Sequence, residues 1–231
     1  MDIKAVAFDV GETLVFYNNY LNWQSLYSSA IKEVLLACGC DYGTALDENA
    51  QKILLKFNTR INYREYEVSS DVIFTEILSS WGVSLDKMRA AKQAFYGFFQ
   101  KDAHFGDDTE YVLKELKKRG VITGVLTDVA YGMDNEYALR DIKPLKEYID
   151  ICLTSRDVGY RKPHIAGYTR LQQAFGVSAG RICFVGNEEK DIIGANNAGM
   201  NSILLDKDRA GSNFGQHDTV AALSEILSMI S

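Results

Sequence analysis

Four short stretches carry side chains whose types and spacing suit chemistry. Residues 8–14 read FDVGETL: an apolar run from Ile3 to Phe8 ends at Asp9, and Gly11, Glu12 and Thr13 follow at once. GVLTD closes a second apolar run at Thr127 and Asp128. VGYRKP places Lys162 before Pro163, and VGNEEKD places Asn187, Glu188, Glu189 and Asp191 behind a further apolar run. A carboxylate can serve as a nucleophile and split one hard displacement into two easier ones. A hydroxyl and an ammonium beside it can hold phosphoryl oxygens, because phosphoryl transfer is mainly positioning and electrostatic stabilisation. Two acidic groups on neighbouring strands can hold Mg²⁺, a hard ion that prefers oxygen ligands and keeps several waters. Each feature alone is ordinary. An Asp after a strand caps helices, a Lys before Pro is commonly solvated, Thr127 can simply end a strand, and Asp191 can charge a helix N-terminus. Four such features in order, all behind apolar runs, form a pattern.

The elements that must position them can be read from periodicity. Five short β-branched runs stand out: Ile3–Phe8, Val121–Thr127, Ile149–Thr154, Arg181–Val185 and Ser202–Leu205. Most are nearly continuous apolar stretches, which suits central strands covered on both faces. Helical patterns fall at 108–118, 165–175, 191–198 and 219–230. Gly120, Gly176 and Gly199 follow the first three as stop signals. Strand and helix in alternation predict an α/β fold, a doubly wound parallel sheet of Rossmann-like type. Ligands bind outside the carboxyl ends of such strands, where Asp9, Thr127, Lys162 and Asp191 fall. From Val15 to Asp102 the pattern is helical throughout, with no convincing strand. Residues 15–102 are therefore expected to form an inserted bundle of about four helices, its aromatic stripe serving as its own core. Residues 1–14 and 103–231 are expected to form the sheet domain.

Composition narrows the function. The chain has 231 residues, 47% hydrophobic, with a formal charge of −6. That charge, and the lack of a basic stripe, argue against a nucleic-acid partner. Lys114, Lys117, Lys118 and Arg119 gather at a helix end, where cations favour the dipole. The four cysteines (Cys38, Cys40, Cys152 and Cys183) form no C-x-x-C pair and read as reduced thiols, which points to the cytoplasm. No secretory leader pattern and no run of 18 apolar residues is present, so neither export nor a membrane is expected. The histidines His104, His164 and His217 are scattered and have no metal-ligand spacing.

The four stretches together resemble the motifs of the haloacid dehalogenase (HAD) superfamily over the whole chain. FDVGETL is similar to the first motif, D-x-D-G-T; GVLTD to the second; VGYRKP to the third; VGNEEKDIIGANNAGM to the fourth with its helix. The helical insert resembles the C1-type cap that closes over the site. The resemblance implies a Mg²⁺-dependent phosphohydrolase of small phosphorylated metabolites. It makes Asp9 the nucleophile and Thr127 and Lys162 the phosphoryl-binding residues. It gives the metal to Asp9, the backbone carbonyl of Gly11, Asn187 and Asp191.

Two positions depart from the family pattern. Phosphatases carry a second Asp, the general acid, where this chain has Gly11. A positioned acid contributes about 10²–10⁴-fold, so poor leaving groups such as sugar alcohols should suffer most. Glu12 is the nearest replacement in sequence, although a neighbouring side chain should point elsewhere. The second departure is Asn187, where Asp is common; Glu188 or Glu189 could restore the lost charge. Two other readings stay open. One is a catalytically weak HAD-like protein that binds a metabolite or a partner. The other is a 2-haloacid dehalogenase-type hydrolase, although its Ser–Asn pattern matches NEEKD poorly. A phosphonatase-type Schiff base would need a lid lysine, and Lys32, Lys52 and Lys56 are the candidates. Tyr17, Tyr20, Trp23 and Arg60 are the expected lid contacts to substrate.

Overall fold

The computed structural model describes residues 2–18 and 23–230. Its strands, in chain order, are β1 (Ala5–Phe8), β2 (Val15–Phe16), β3 (His104–Phe105), β4 (Ile122–Thr127), β5 (Ile151–Thr154), β6 (Ile182–Gly186), β7 (Asn201–Leu205) and β8 (Asp218–Val220). Its α-helices are α1 (Tyr27–Cys38), α2 (Thr44–Phe57), α3 (Ser70–Ser80), α4 (Met88–Gln100), α5 (Thr109–Lys118), α6 (Asn135–Ala138), α7 (Ser155–Val158), α8 (Ile165–Phe175) and α9 (Glu189–Asn197). Six strands form a parallel sheet in the order β5-β4-β1-β6-β7-β8. This is the Rossmann-like core, and α1–α4 form the helical insert between β2 and β3. Among the described residues, no helix is long and apolar enough to cross a membrane.

The alternation of β1 explains the layering. Successive side chains of a strand point to opposite faces. Val6 and Phe8 pack with Val112, Leu113 and Leu116 of α5 and with Ile226 near the C-terminus. Ala5 and Ala7 face Tyr168, Leu171 and Phe175 of α8. Small residues on that face let the helix with its large aromatics sit close. The helix starts where the His164 side chain accepts from Ala166 N, and it ends at left-handed Gly176.

Two stretches differ from what periodicity predicts. The 219–230 pattern is not one helix: it splits into edge strand β8 and a 3₁₀ turn, Leu223–Ser228. Its apolar residues Val220, Leu223, Ile226 and Leu227 are buried all the same, so spacing recorded their burial and not their backbone. The insert also opens and closes with strand: β2 pairs antiparallel with β3, Val15 opposite Phe105 and Phe16 opposite His104. Two-residue strands are too short to show a period.

The lid shares its core with the sheet domain. Its aromatic stripe is buried as expected, with Phe74 packed edge-on to Phe95 and Tyr96. The same cluster also takes in Val129, Tyr131, Met133 and Tyr137 from the segment after β4. A second seam joins residues 65–67 to 159–161. Arg161 N donates to Glu65 O (2.8 Å) and Glu67 N to Gly159 O (2.9 Å). Within the seam the Arg161 guanidinium pairs with the buried Glu67 carboxylate, which also accepts from Ser155 Oγ at 2.6 Å.

Gly132 holds the two bodies at contact distance. Its φ is +63°, and a Cβ there would stand 2.0 Å from Val68 O and 2.6 Å from Ser70 N. Gly132→Ala therefore combines left-handed strain with overpacking, and urea unfolding should show a loss of about 2–4 kcal/mol. A loss under about 1 kcal/mol would mean that the seam yields at little cost.

Candidate active site

The carboxyl ends of β1, β4 and β6 open into a cavity of about 710 Å³ roofed by the lid. β1 hydrogen-bonds to both β4 and β6 in register, so Asp9 emerges at the middle of that edge. Thr127 ends β4, and Lys162 lies on the loop between α7 and α8. All three border the cavity, as do Gly11 and Asn187.

The Lys162 ammonium is the hub. Its Nζ donates to Asp9 Oδ1 at 2.6 Å. It also lies 2.6 Å from Asp191 Oδ1, but off the hydrogen-bonding direction, and that buried oxygen has no hydrogen-bond partner. The other oxygen, Asp191 Oδ2, accepts from the backbone N–H groups of Asn187 (3.2 Å) and Glu188 (3.0 Å). Gly186 makes room for this carboxylate, since a Cβ there would stand 2.5 Å from its atoms. The Asn187 side-chain oxygen accepts from Thr13 Oγ at 3.3 Å.

Burial raises the Asp9 carboxyl to about 6, and the Asp191 carboxylate adds to the rise while Lys162 opposes it. Burial also works against the Lys162 charge, but Asp191, Asp9 and Asp128 outweigh it and hold that ammonium well above its ordinary value. Two carboxylates beside one cation leave net negative charge in a buried site. Gly11 and Asn187, which border the same cavity, carry further oxygens of the hard type. Among the described residues, no group of three or more His, Cys, Asp and Glu is arranged to hold a metal ion. Mg²⁺ is commonly bound by only one or two carboxylates plus waters and substrate oxygens. Asp191 Oδ1, which accepts no hydrogen bond, and these oxygens suit such an ion in chemical type.

Asp128, Arg161 and Lys190 border the cavity beyond the residues nominated from sequence, beside Glu188, which was expected to restore charge near Asn187. Asp128 Oδ1 accepts from Lys162 N at 2.9 Å, and its other oxygen lies 3.3 Å from Lys190 Nζ. Burial would lift the Asp128 carboxyl, but Arg161, Lys190 and Lys162 hold it below the usual range. Glu188 pairs with Lys190 (2.7 Å) and, across the cleft, with Arg60 of the lid (2.8 Å). Those cations overcome its burial and bring it to about 2. Asp128, Arg161 and Lys190 each adjoin a nominated residue, so adjacency was the signal available. Glu67 had none.

Of the expected lid contacts, Tyr17, Trp23 and Arg60 border the cavity, and Tyr20 lies outside the described residues. Glu12 does not border it. Its backbone is left-handed (φ 57°), and its carboxylate turns back to accept from Tyr17 N at 3.2 Å. Lys32, Lys52 and Lys56 stand away from the cavity, and so do the three histidines.

The chain matches the haloacid dehalogenase-like hydrolase family over residues 8–205, and it belongs to that family of enzymes. It is 27% identical to the glyceraldehyde 3-phosphate phosphatase of Methanothermobacter thermautotrophicus, over 97% of this chain and 100% of that one. It is 32% identical to the pyrophosphatase PpaX of Bacillus cereus over 48% of this chain and 52% of that one. Among solved structures, a HAD phosphatase from Thermococcus onnurineus superposes with a TM-score of 0.67 at 18% identity, covering 98% and 97% of the two chains. A 2-haloacid dehalogenase from Pseudomonas syringae pv. Tomato DC3000 gives 0.68 at 20% identity, with the same coverage. At such identities these two show the fold alone, and phosphatase and dehalogenase share it.

Removing the hub charge tests the electrostatics. Lys162→Met leaves Asp9 and Asp191 uncompensated, and stripping one partner from a buried charge cluster costs about 3–5 kcal/mol. Lys162 is the main group that lowers the Asp9 carboxyl, so its loss lifts that carboxyl further. A raised carboxyl stabilises the fold while protonated and loses that contribution as pH rises through the folded value. The variant's deficit in urea should therefore be large at pH 7.5 and shrink toward pH 5. A deficit independent of pH would contradict this charge balance.

Proposed function

We propose that the chain is a Mg²⁺-dependent phosphohydrolase of a small phosphorylated metabolite, working through a phosphoryl-Asp9 intermediate. The observation that carries the reading is the Lys162 ammonium held 2.6 Å from Asp9 at the floor of the cavity. The relatives named for phosphate chemistry support it. In this reading the sheet domain is 1–14 with 103–231, and residues 15–102 form the lid.

Asp9 attacks the phosphorus with one carboxylate oxygen. A P–O(Asp9) bond forms, the bond to the ester oxygen breaks, and that oxygen leaves with the electron pair. Water then attacks the phosphorus, releases phosphate and regenerates Asp9. Thr127 and Lys162 hold the phosphoryl oxygens and fix the line of attack. Lys162 also favours the ionised form of Asp9, which burial disfavours. Asp9, the Gly11 carbonyl, Asn187 and Asp191 would hold Mg²⁺, whose charge offsets repulsion between an anionic nucleophile and an anionic substrate. The lid excludes water and meets the leaving group with Tyr17, Trp23 and Arg60. The four free thiols and the −6 charge fit a cytoplasmic protein with no nucleic-acid partner.

An assay with 4-nitrophenyl phosphate and Mg²⁺ tests the reading. Turnover should stop on chelation of the metal and fall to background in Asp9→Asn. Activity that persists in Asp9→Asn would overturn the covalent scheme.

A further inference from the structure

The cavity bears on what must leave Asp9's phosphoryl group and how that group is later released. Gly11 offers no side chain, and the Glu12 carboxylate is turned out of the cavity toward Tyr17 N. The phenol of Tyr17 does border the cavity, but it donates to Asp141 Oδ2 at 2.9 Å, an oxygen that also accepts from Gln100 at 2.7 Å. The Tyr131 hydroxyl is shared with Tyr27, and its ring is buried in the lid core. The carboxylate oxygens of Asp128 and Glu188 are held by Arg161, Lys190 and Arg60. Those ion pairs occupy the same cations. None of these groups is thus placed to give a proton to an oxygen leaving above Asp9.

An acid that protonates a leaving oxygen in the first step is, by microscopic reversibility, the base that takes a proton from water in the second. Its absence slows both halves. The first half escapes the penalty when the leaving oxygen is weakly basic. The second half does not, because its nucleophile is always water. Resting on the phosphohydrolase reading, we propose that this site takes acyl, aryl or anhydride phosphates and is left as a long-lived phosphoryl-Asp9, whose hydrolysis limits turnover.

The step balances without an added reactant. The leaving oxygen departs as carboxylate, phenolate or phosphate and needs no proton from the protein. Water supplies the oxygen and the protons when phosphate is released. A slowly hydrolysed phosphoryl-Asp9 would also be open to a competing acceptor such as an alcohol.

Rapid mixing of the wild-type protein with 4-nitrophenyl phosphate and Mg²⁺ is the test. Expected is a burst approaching one equivalent of phenolate per site, then a slow steady rate. Intact-mass measurement after acid quench should show one added phosphoryl group. The steady rates for 4-nitrophenyl and acetyl phosphate should agree within about twofold. kcat/KM for glucose 6-phosphate should fall about 10²–10⁴-fold below the aryl ester. Gly11→Asp should shrink the burst and raise the rate on glucose 6-phosphate. Turnover without a burst, at a rate that follows the leaving group, would overturn this inference and leave the phosphohydrolase reading standing. Absence of turnover on every phosphate, or full activity in Asp9→Asn, would overturn both.

Discussion

One buried ammonium organises this molecule. Lys162 is almost wholly enclosed, yet it lies within reach of Asp9 and Asp191, while its own backbone N–H is fixed by Asp128. These groups come from three loops and the first turn of α9, at one edge of the sheet. Desolvating them is costly, and their attraction offsets that cost only if the geometry is held. The parallel pairing of β1 with β4 and β6 holds it, by bringing three strand ends level. Two carboxylates and the cation beside them follow from that single arrangement.

The lid is bound into the same arrangement. Val129, Tyr131, Met133 and Tyr137 leave the sheet edge and enter the lid's core, and Arg161 is tied to Glu67 beside them. At roughly 1.5–3 kcal/mol per large buried side chain, exposing that cluster would cost on the order of 6 kcal/mol or more. Lid and core are therefore welded along the 129–138 side. The Arg60–Glu188 pair across the cleft is solvent-exposed on the Arg60 side, and exposed pairs contribute about 0–1 kcal/mol.

Much of this was legible in sequence, for reasons that vary by element. The buried strands announced themselves as apolar runs because both faces are covered; β1, β4, β5, β6 and β7 fall where those runs lie. The four long lid helices showed the 3.6-residue period because each buries one stripe. β2, β3 and β8 hold two or three residues each, too few to display alternation. Positions 9, 127 and 162 could be nominated because the ends of parallel strands must share an edge. Glu67 could not, since its place depends on a loop folding across more than ninety residues of chain to meet Arg161. The direction of Glu12 depends on one left-handed backbone angle, which local spacing does not encode.

Gly11 separates this chain from the usual hydrolytic pattern, and its effect is intelligible only if Asp9 is the atom that attacks. A crystal structure of the protein soaked with Mg²⁺ and orthovanadate addresses that claim most directly. The account predicts vanadium in line with an Asp9 carboxylate oxygen, its oxygens within hydrogen-bond distance of Thr127 and Lys162. It also predicts an octahedral ion at about 2.0–2.1 Å from oxygens of Asp9, Gly11 and Asp191. Vanadate seated elsewhere in the cavity, or an ion that bypasses Asp9, would contradict it.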